Sequence, residues 1–147
     1  MIAALGVAAA VALATPQPSL SDLAASATFH LYVLPQPAET DSITVLATDD
    51  QSRPTSVKIV YRLGDRLTVS IVETARATVQ ANDAAPSPAP AGKTYFVNGY
   101  PASYVLSGPY YQHVGTLTWL PPGVTVTISS MDMTDEPTLV NAALALY

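Results

Sequence analysis

The chain has 147 residues, 49% of them hydrophobic and only 12% charged, with thirteen prolines and no cysteine. Six basic residues against eleven acidic ones give a formal charge of −5. The basic residues are scattered, so the cation clusters that a nucleic-acid backbone or an anionic membrane surface requires are missing. The lack of Cys excludes disulfides, thiolate metal sites, a cysteine nucleophile and a lipid-modified Cys, while the length suffices for a single domain that needs no metal or disulfide to fold.

Met1 to Ala14 is an uncharged run of small and aliphatic residues that breaks at Thr15-Pro16-Gln17-Pro18. It is short for a span of about 20 apolar residues, and Ala12-Leu13-Ala14 has the small-x-small form of a signal-peptidase site. Residues 1–18 therefore read either as a signal peptide with a weak start or as part of a transmembrane helix. Both readings place Ser19 onward outside the cytoplasm, secreted or anchored to the cytoplasmic membrane. Ser19 to Ala27 reads as a tether or a short helical turn, and residues 28–147 as one domain.

Within the domain, Thr28 to Val33 alternates, with Phe29, Leu31 and Val33 opposed to Thr28, His30 and Tyr32, the period of a half-buried strand. Ser42 to Thr48 is a second strand candidate. Val57–Leu63 and Leu67–Glu73 form a hairpin in which Val57, Ile59, Tyr61 and Leu67, Val69, Ile71 each share a face, joined by Gly64-Asp65 as a two-residue turn with glycine first. Ala75 to Gly92 has no periodicity and a Pro/Ala/Ser composition, and is expected to be a mobile surface loop. A second hairpin turns at Asn98-Gly99, between Lys93–Val97 and Tyr100–Leu106, because both central positions of a type I′ turn need positive φ. Pro101, just past that turn, is expected at an edge or a non-donating position. A third hairpin, Thr116–Leu120 with Val124–Ser129, turns at Pro121-Pro122-Gly123 and sets Val124, Val126 and Ile128 against the core. The period then changes. Thr134 caps a helix opening at Asp135-Glu136-Pro137, whose apolar stripe is Leu139, Val140, Ala143, Leu144 and Tyr147. The expected fold is α+β, a twisted antiparallel sheet of hairpins packed against one C-terminal helix.

The order of Val97-Asn98-Gly99, Tyr104-Val105, Gly115-Thr116-Leu117-Thr118-Trp119, Val124-Thr125-Val126-Thr127-Ile128-Ser129 and a short capped helix resembles the bacterial domain family DUF4367. The resemblance covers Phe29 to Tyr147, and the Leu117-Thr118-Trp119 box with the strand and helix after it is its most specific part. It implies an extracytoplasmic domain of the kind found in membrane proteins resembling anti-sigma factors. It carries over no catalytic residues, and the cytoplasmic segment that would bind a sigma factor has no counterpart in this sequence.

No catalytic signature is present. Ser103 lacks the flanking glycines of a nucleophile elbow. His30 and His113, the only histidines, lie far apart with no metal-ligand spacing. Asp132, Asp135 and Glu136 cluster before the helix, but a calcium loop needs a longer run of oxygen ligands and capping explains Asp135 and Glu136. The glycines are isolated turn residues rather than a phosphate loop. No cofactor is expected. The candidate interaction surface is aromatic: Tyr110, Tyr111 and His113 in the Ser107–Gly115 loop, with Tyr100 in the preceding hairpin. Tyrosines beside polar groups give large contact area at low entropic cost. Trp119 and Tyr104 read instead as core anchors. The sequence thus points to a sensory or interaction domain with a protein partner in the cell envelope. The alternative is a binder of a small apolar ligand held between sheet and helix beneath Leu139–Leu144.

Overall fold

The computed structural model describes residues 17–64, 67–76, 93–108, 114–130 and 136–147. Its centre is a seven-stranded antiparallel sheet: β1 (Glu39–Thr48), β2 (Pro54–Leu63), β3 (Leu67–Ala75), β4 (Lys93–Val97), β5 (Tyr100–Ser107), β6 (Val114–Trp119) and β7 (Val124–Ser130). The spatial order is β1-β2-β3-β7-β6-β5-β4. Two runs of adjacent hairpins, β1–β3 and β4–β7, therefore meet at a seam between β3 and β7. The expected α+β architecture, an antiparallel sheet with a C-terminal helix, is what the chain adopts.

The turns follow their residues. Asn98 and Gly99 both have positive φ, 51° and 86°, as a type I′ turn demands. Pro101 pairs with Phe96 and precedes the first β5–β6 pair, Ala102 with Trp119, so its missing N–H breaks no ladder bond. Between β1 and β2, the Asp49 carboxylate accepts from the backbone N–H of Gln51 and Arg53 and pairs with the Arg53 guanidinium at 2.7 Å. The first hairpin departs from expectation. Leu63 pairs with Leu67, which leaves three intervening positions, Gly64, Asp65 and Arg66, instead of a two-residue turn.

One face of the sheet carries the core. Cross-strand register aligns Ile59, Ile71, Ile128, Leu117 and Tyr104 in one row and Val57, Glu73, Val126, Trp119 and Ala102 in the next, and every one of these residues is buried. The other face is rich in hydroxyls, with Thr127, Thr118, Ser103 and Thr94 aligned across β7, β6, β5 and β4. Alternation of apolar and hydroxyl residues along β6 and β7 separates the two faces, as period two requires.

Three elements cover the core face. Helix α1 (Leu20–Ser26) opens with a capping box, in which the Ser19 hydroxyl accepts from the Asp22 N–H and the Asp22 carboxylate accepts from the Ser19 N–H. The segment expected as a tether or helical turn is thus a helix, docked through buried Leu23. Residues 27–38 then cross the sheet as a strap. The expected strand at Thr28–Val33 does not form. The segment is extended but lies over the core face, with Leu31 and Leu34 buried and no ladder along its length. Its alternation records an extended chain with one side on the core, which period two cannot distinguish from pairing within the sheet.

Helix α2 (Glu136–Ala145) packs on β4, β6 and β7. The expected capping positions Thr134 and Asp135 lie outside the described residues. The buried stripe is Leu139, Ala142, Ala143 and Leu146, whereas Leu144 and Tyr147 are exposed. Ala and Leu occupy almost every position from Leu139 to Leu146, so composition alone does not mark the helix face, and the expected stripe of Leu139, Val140, Ala143, Leu144 and Tyr147 was rotated from the true one. Val33 and Tyr147 exchange backbone hydrogen bonds of 3.2 and 3.3 Å, tying the strap to the residues that follow α2.

Candidate functional site

The residues expected to form an aromatic interaction loop divide. Tyr110, Tyr111 and His113 lie outside the described residues, as do Met1–Ala14 and most of the Pro/Ala segment. Tyr100 opens β5 half-buried against the core. Its phenol is close enough to that of Tyr32 to help raise the Tyr32 pKa, behind the larger effect of burial. Tyr100 therefore joins Tyr32 on the strap. His30 stacks edge-on against Tyr32, with ring centroids 4.7 Å apart. Trp119 and Tyr104 are core anchors, as expected, and Tyr104 meets Tyr95 in a T-shaped contact at 6.3 Å. Among the described residues no group of His, Asp and Glu could hold a metal ion, and no helix is long and apolar enough to cross a membrane.

The two edges of the sheet differ. The β1–β2 register shifts at three points along β1, and Arg62 ties Asp41 at 2.7 Å beside it. Bulges and charges of this kind blunt an edge against further pairing. Among the described residues, edge β4 shows no such bulge, and its one charged residue, Lys93, is engaged with Glu136. Its pairing with β5 runs without a shift from Lys93–Tyr104 to Val97–Tyr100. Val97 and Tyr100 flank the type I′ turn and exchange both of their hydrogen bonds, so the alternation of antiparallel pairs turns the N–H and C=O groups of Thr94 and Phe96 away from β5. No described residue pairs with them. The Phe96 side chain is 69% exposed on the hydroxyl-rich face. On the core face, the Tyr95 hydroxyl donates to Glu136, and the Lys93 ammonium pairs with the same carboxylate at 2.9 Å. The first turn of α2 thus braces β4 from behind, a role for Glu136 beyond capping.

Glu73 is the unexpected residue. It follows Val69 and Ile71 on the core face of β3, between Val57 and Val126, and is fully buried. Its two carboxyl oxygens accept from one donor, the backbone N–H of Tyr32, at 3.2 and 3.0 Å. Burial pushes its pKa up to about 8, against the lowering effect of that bond. Next to it, burial likewise pushes the Tyr61 phenol up to about 12, while its oxygen accepts from the Leu34 N–H at 3.4 Å. The sequence held a sign of this site, because an acidic residue occupied the core parity of an otherwise alternating strand.

Beside α2, an open apolar groove of about 310 Å³ runs between the strap and the helix, lined by Leu34, Pro37, Ala38, Leu63, Ala142 and Ala145 among others. It lies along the side of the helix. Leu139 and Ala143, under which a ligand cavity was expected, are packed into the core.

The chain matches no protein-family model, no curated protein and no solved structure. The resemblance to DUF4367 accordingly rests on its sequence motifs alone.

Proposed function

We propose that this chain is a non-catalytic interaction domain acting outside the cytoplasm, which takes up an extended segment of a protein partner as an additional strand along β4. The observation that carries this reading is the contrast between the edges: β1 is bulged and charged, whereas β4 is regular, unpaired by any described residue on its outer side, and flanked by the exposed ring of Phe96. Main-chain hydrogen bonds to Thr94 and Phe96 supply affinity, and the Phe96 ring supplies selectivity for an apolar side chain on the incoming strand. The apolar run at Met1–Ala14 supports the extracytoplasmic setting, and the motif order resembling DUF4367 supports a place in envelope signalling. The absence of a nucleophile, metal or phosphate motif from the sequence supports a role without turnover.

The test places a photo-crosslinking phenylalanine analogue at position 96, crosslinks in the native host and purifies the captured partner. Its affinity is then measured for the unmodified domain and for Thr94→Pro. Proline at 94 removes an edge N–H without touching a β4–β5 bond, so affinity falls at least tenfold while the thermal midpoint holds. Equal binding by Thr94→Pro refutes edge pairing.

The groove beside α2 favours a second reading, the carriage of a small apolar ligand. Native mass spectrometry of the domain purified from its host would show an adduct that Ala145→Trp, at an exposed position of the groove lining, removes. A spectrum with no adduct refutes it.

A further inference from the structure

Glu73 has no part in strand uptake along β4, yet its setting is costly. A carboxyl group with no solvent exposure is held under a segment outside the sheet, with a single N–H as partner. A carboxylate can accept about four hydrogen bonds. Burying one without a cation or several donors is among the least favourable arrangements in a protein interior.

The surroundings offer no compensation. From the strap come Tyr32, whose phenol senses Glu73, and His30 stacked upon Tyr32. From β2 come Val57 and the Tyr61 phenol, with Tyr147 beyond Tyr61, from β7 Val126, and from β5 Tyr100 beyond Tyr32. The nearest cation in sequence, Arg76, donates to the carbonyl of Pro121 at 3.0 Å. Lys93 is engaged with Glu136. Among the described residues no Lys, Arg or His forms an ion pair with Glu73.

The strap makes few backbone hydrogen bonds to the rest of the molecule. Besides the Tyr32–Glu73 bond, its backbone is held by Thr28 to the carbonyl of Pro54 at 3.1 Å, by the Val33–Tyr147 exchange and by Leu34 to the Tyr61 hydroxyl, while Leu31, Leu34 and Ala38 are buried in the core and Phe29, Tyr32 and Val33 pack against it. A segment with so few backbone bonds opens at lower free energy than the strands beneath it.

We propose that Glu73 and the strap over residues 27–38 form a pH-responsive latch, closed while Glu73 keeps its proton and released as the buried carboxyl ionises. The protonated acid still accepts from Tyr32 through its carbonyl oxygen and carries no charge. The ionised form needs water, which the strap excludes. The direction follows from the raised pKa of about 8 against the ordinary 4.5. Below the ordinary value both the closed and the opened states are protonated, and the latch holds fully. As pH rises between the two values, only the opened state ionises, and closure weakens until pH passes the folded value, above which it levels off.

The experiment is hydrogen exchange of the whole chain from pH 5 to 8, corrected for the intrinsic rate. Protection of the Tyr32, Val33 and Leu34 amides, each hydrogen-bonded in the closed strap, is expected to fall by about tenfold per pH unit, while the β3 and β7 amides keep theirs. In Glu73→Gln the strap amides show no such trend. A carbon-13 titration of the Glu73 carboxyl in the unmodified chain, which needs no variant to fold, gives a midpoint well above the ordinary carboxylate range. A midpoint near the ordinary value, pH-independent strap protection, or an unchanged trend in Glu73→Gln overturns the proposal. So does a loss of protection that spreads equally over the strands, since that is global unfolding.

Discussion

Trp119 has no accessible surface to speak of, and its cross-strand neighbours are Ala102 on one side and Val126 on the other. A small residue beside the largest ring leaves room for the indole in the second row of the core. Trp119→Ala opens a cavity that Ala102 cannot refill, and about 3–5 kcal/mol of stability is expected to be lost. Urea unfolding followed by circular dichroism checks this, and a loss under 1 kcal/mol would show the site to be loosely packed. The role of Trp119 was legible because a strand of alternating apolar residues leaves its indole only one face to occupy. Glu73 was legible only by parity. Its chemistry depends on the strap, and nothing near Tyr32 in the chain announces a bond to a residue so distant in sequence.

At the level of elements, local chemistry was the readable part. The Asn98-Gly99 turn forms as its residues require, and its consequence is measurable. Gly99 has φ of 86° with open space where a Cβ would stand, so Gly99→Ala meets no clash and loses only conformational compatibility, about 1–2 kcal/mol. A differential-scanning measurement showing no shift would mean the turn relaxes without cost. Asn98 adds a tertiary bond, its side-chain amide donating to the carbonyl of Leu146 at 3.2 Å. The strap and α2 were harder to read. The strap resembles a strand because Thr28 and His30 face solvent while Phe29 and Leu31 face the core. The alternation stops at Tyr32, which also packs against the core, and the described residues form no ladder along the run. In α2 the near-uniform run of Ala and Leu hides which face is dry, and only the sheet beneath it decides.

For the molecule as a whole, the hairpins were legible and their assembly was not. Turn residues specify which consecutive strands pair, but no turn joins β3 to β7, and the run of register from Val69–Ser130 to Ala75–Val124 is a tertiary choice. That choice makes the two halves share one core, since Ile71 lies between Ile59 and Ile128 in a single row. The domain is therefore expected to unfold in one transition. Trp119 fluorescence reports the second half and far-ultraviolet circular dichroism the entire sheet, and the two should coincide at every urea concentration. Separate midpoints would show that the β1–β3 meander stands alone.

The seam also bears on how the protein is made. While the nascent chain emerges from the ribosome, β1, β2 and β3 can pair as soon as they clear the exit tunnel, but the inner edge of β3 has to wait. Its partner β7 is among the last strands synthesised, and the residues that will sheathe Ile71 and Val69 from that side arrive with it. Until then the growing polypeptide carries an unpaired, apolar strand in the middle of its future sheet. Such long-range closure makes folding slow for a chain of this size, and completion falls after translation has passed Ser130. The same delay gives a holding chaperone a defined target in the half-made protein, the bare flank of β3.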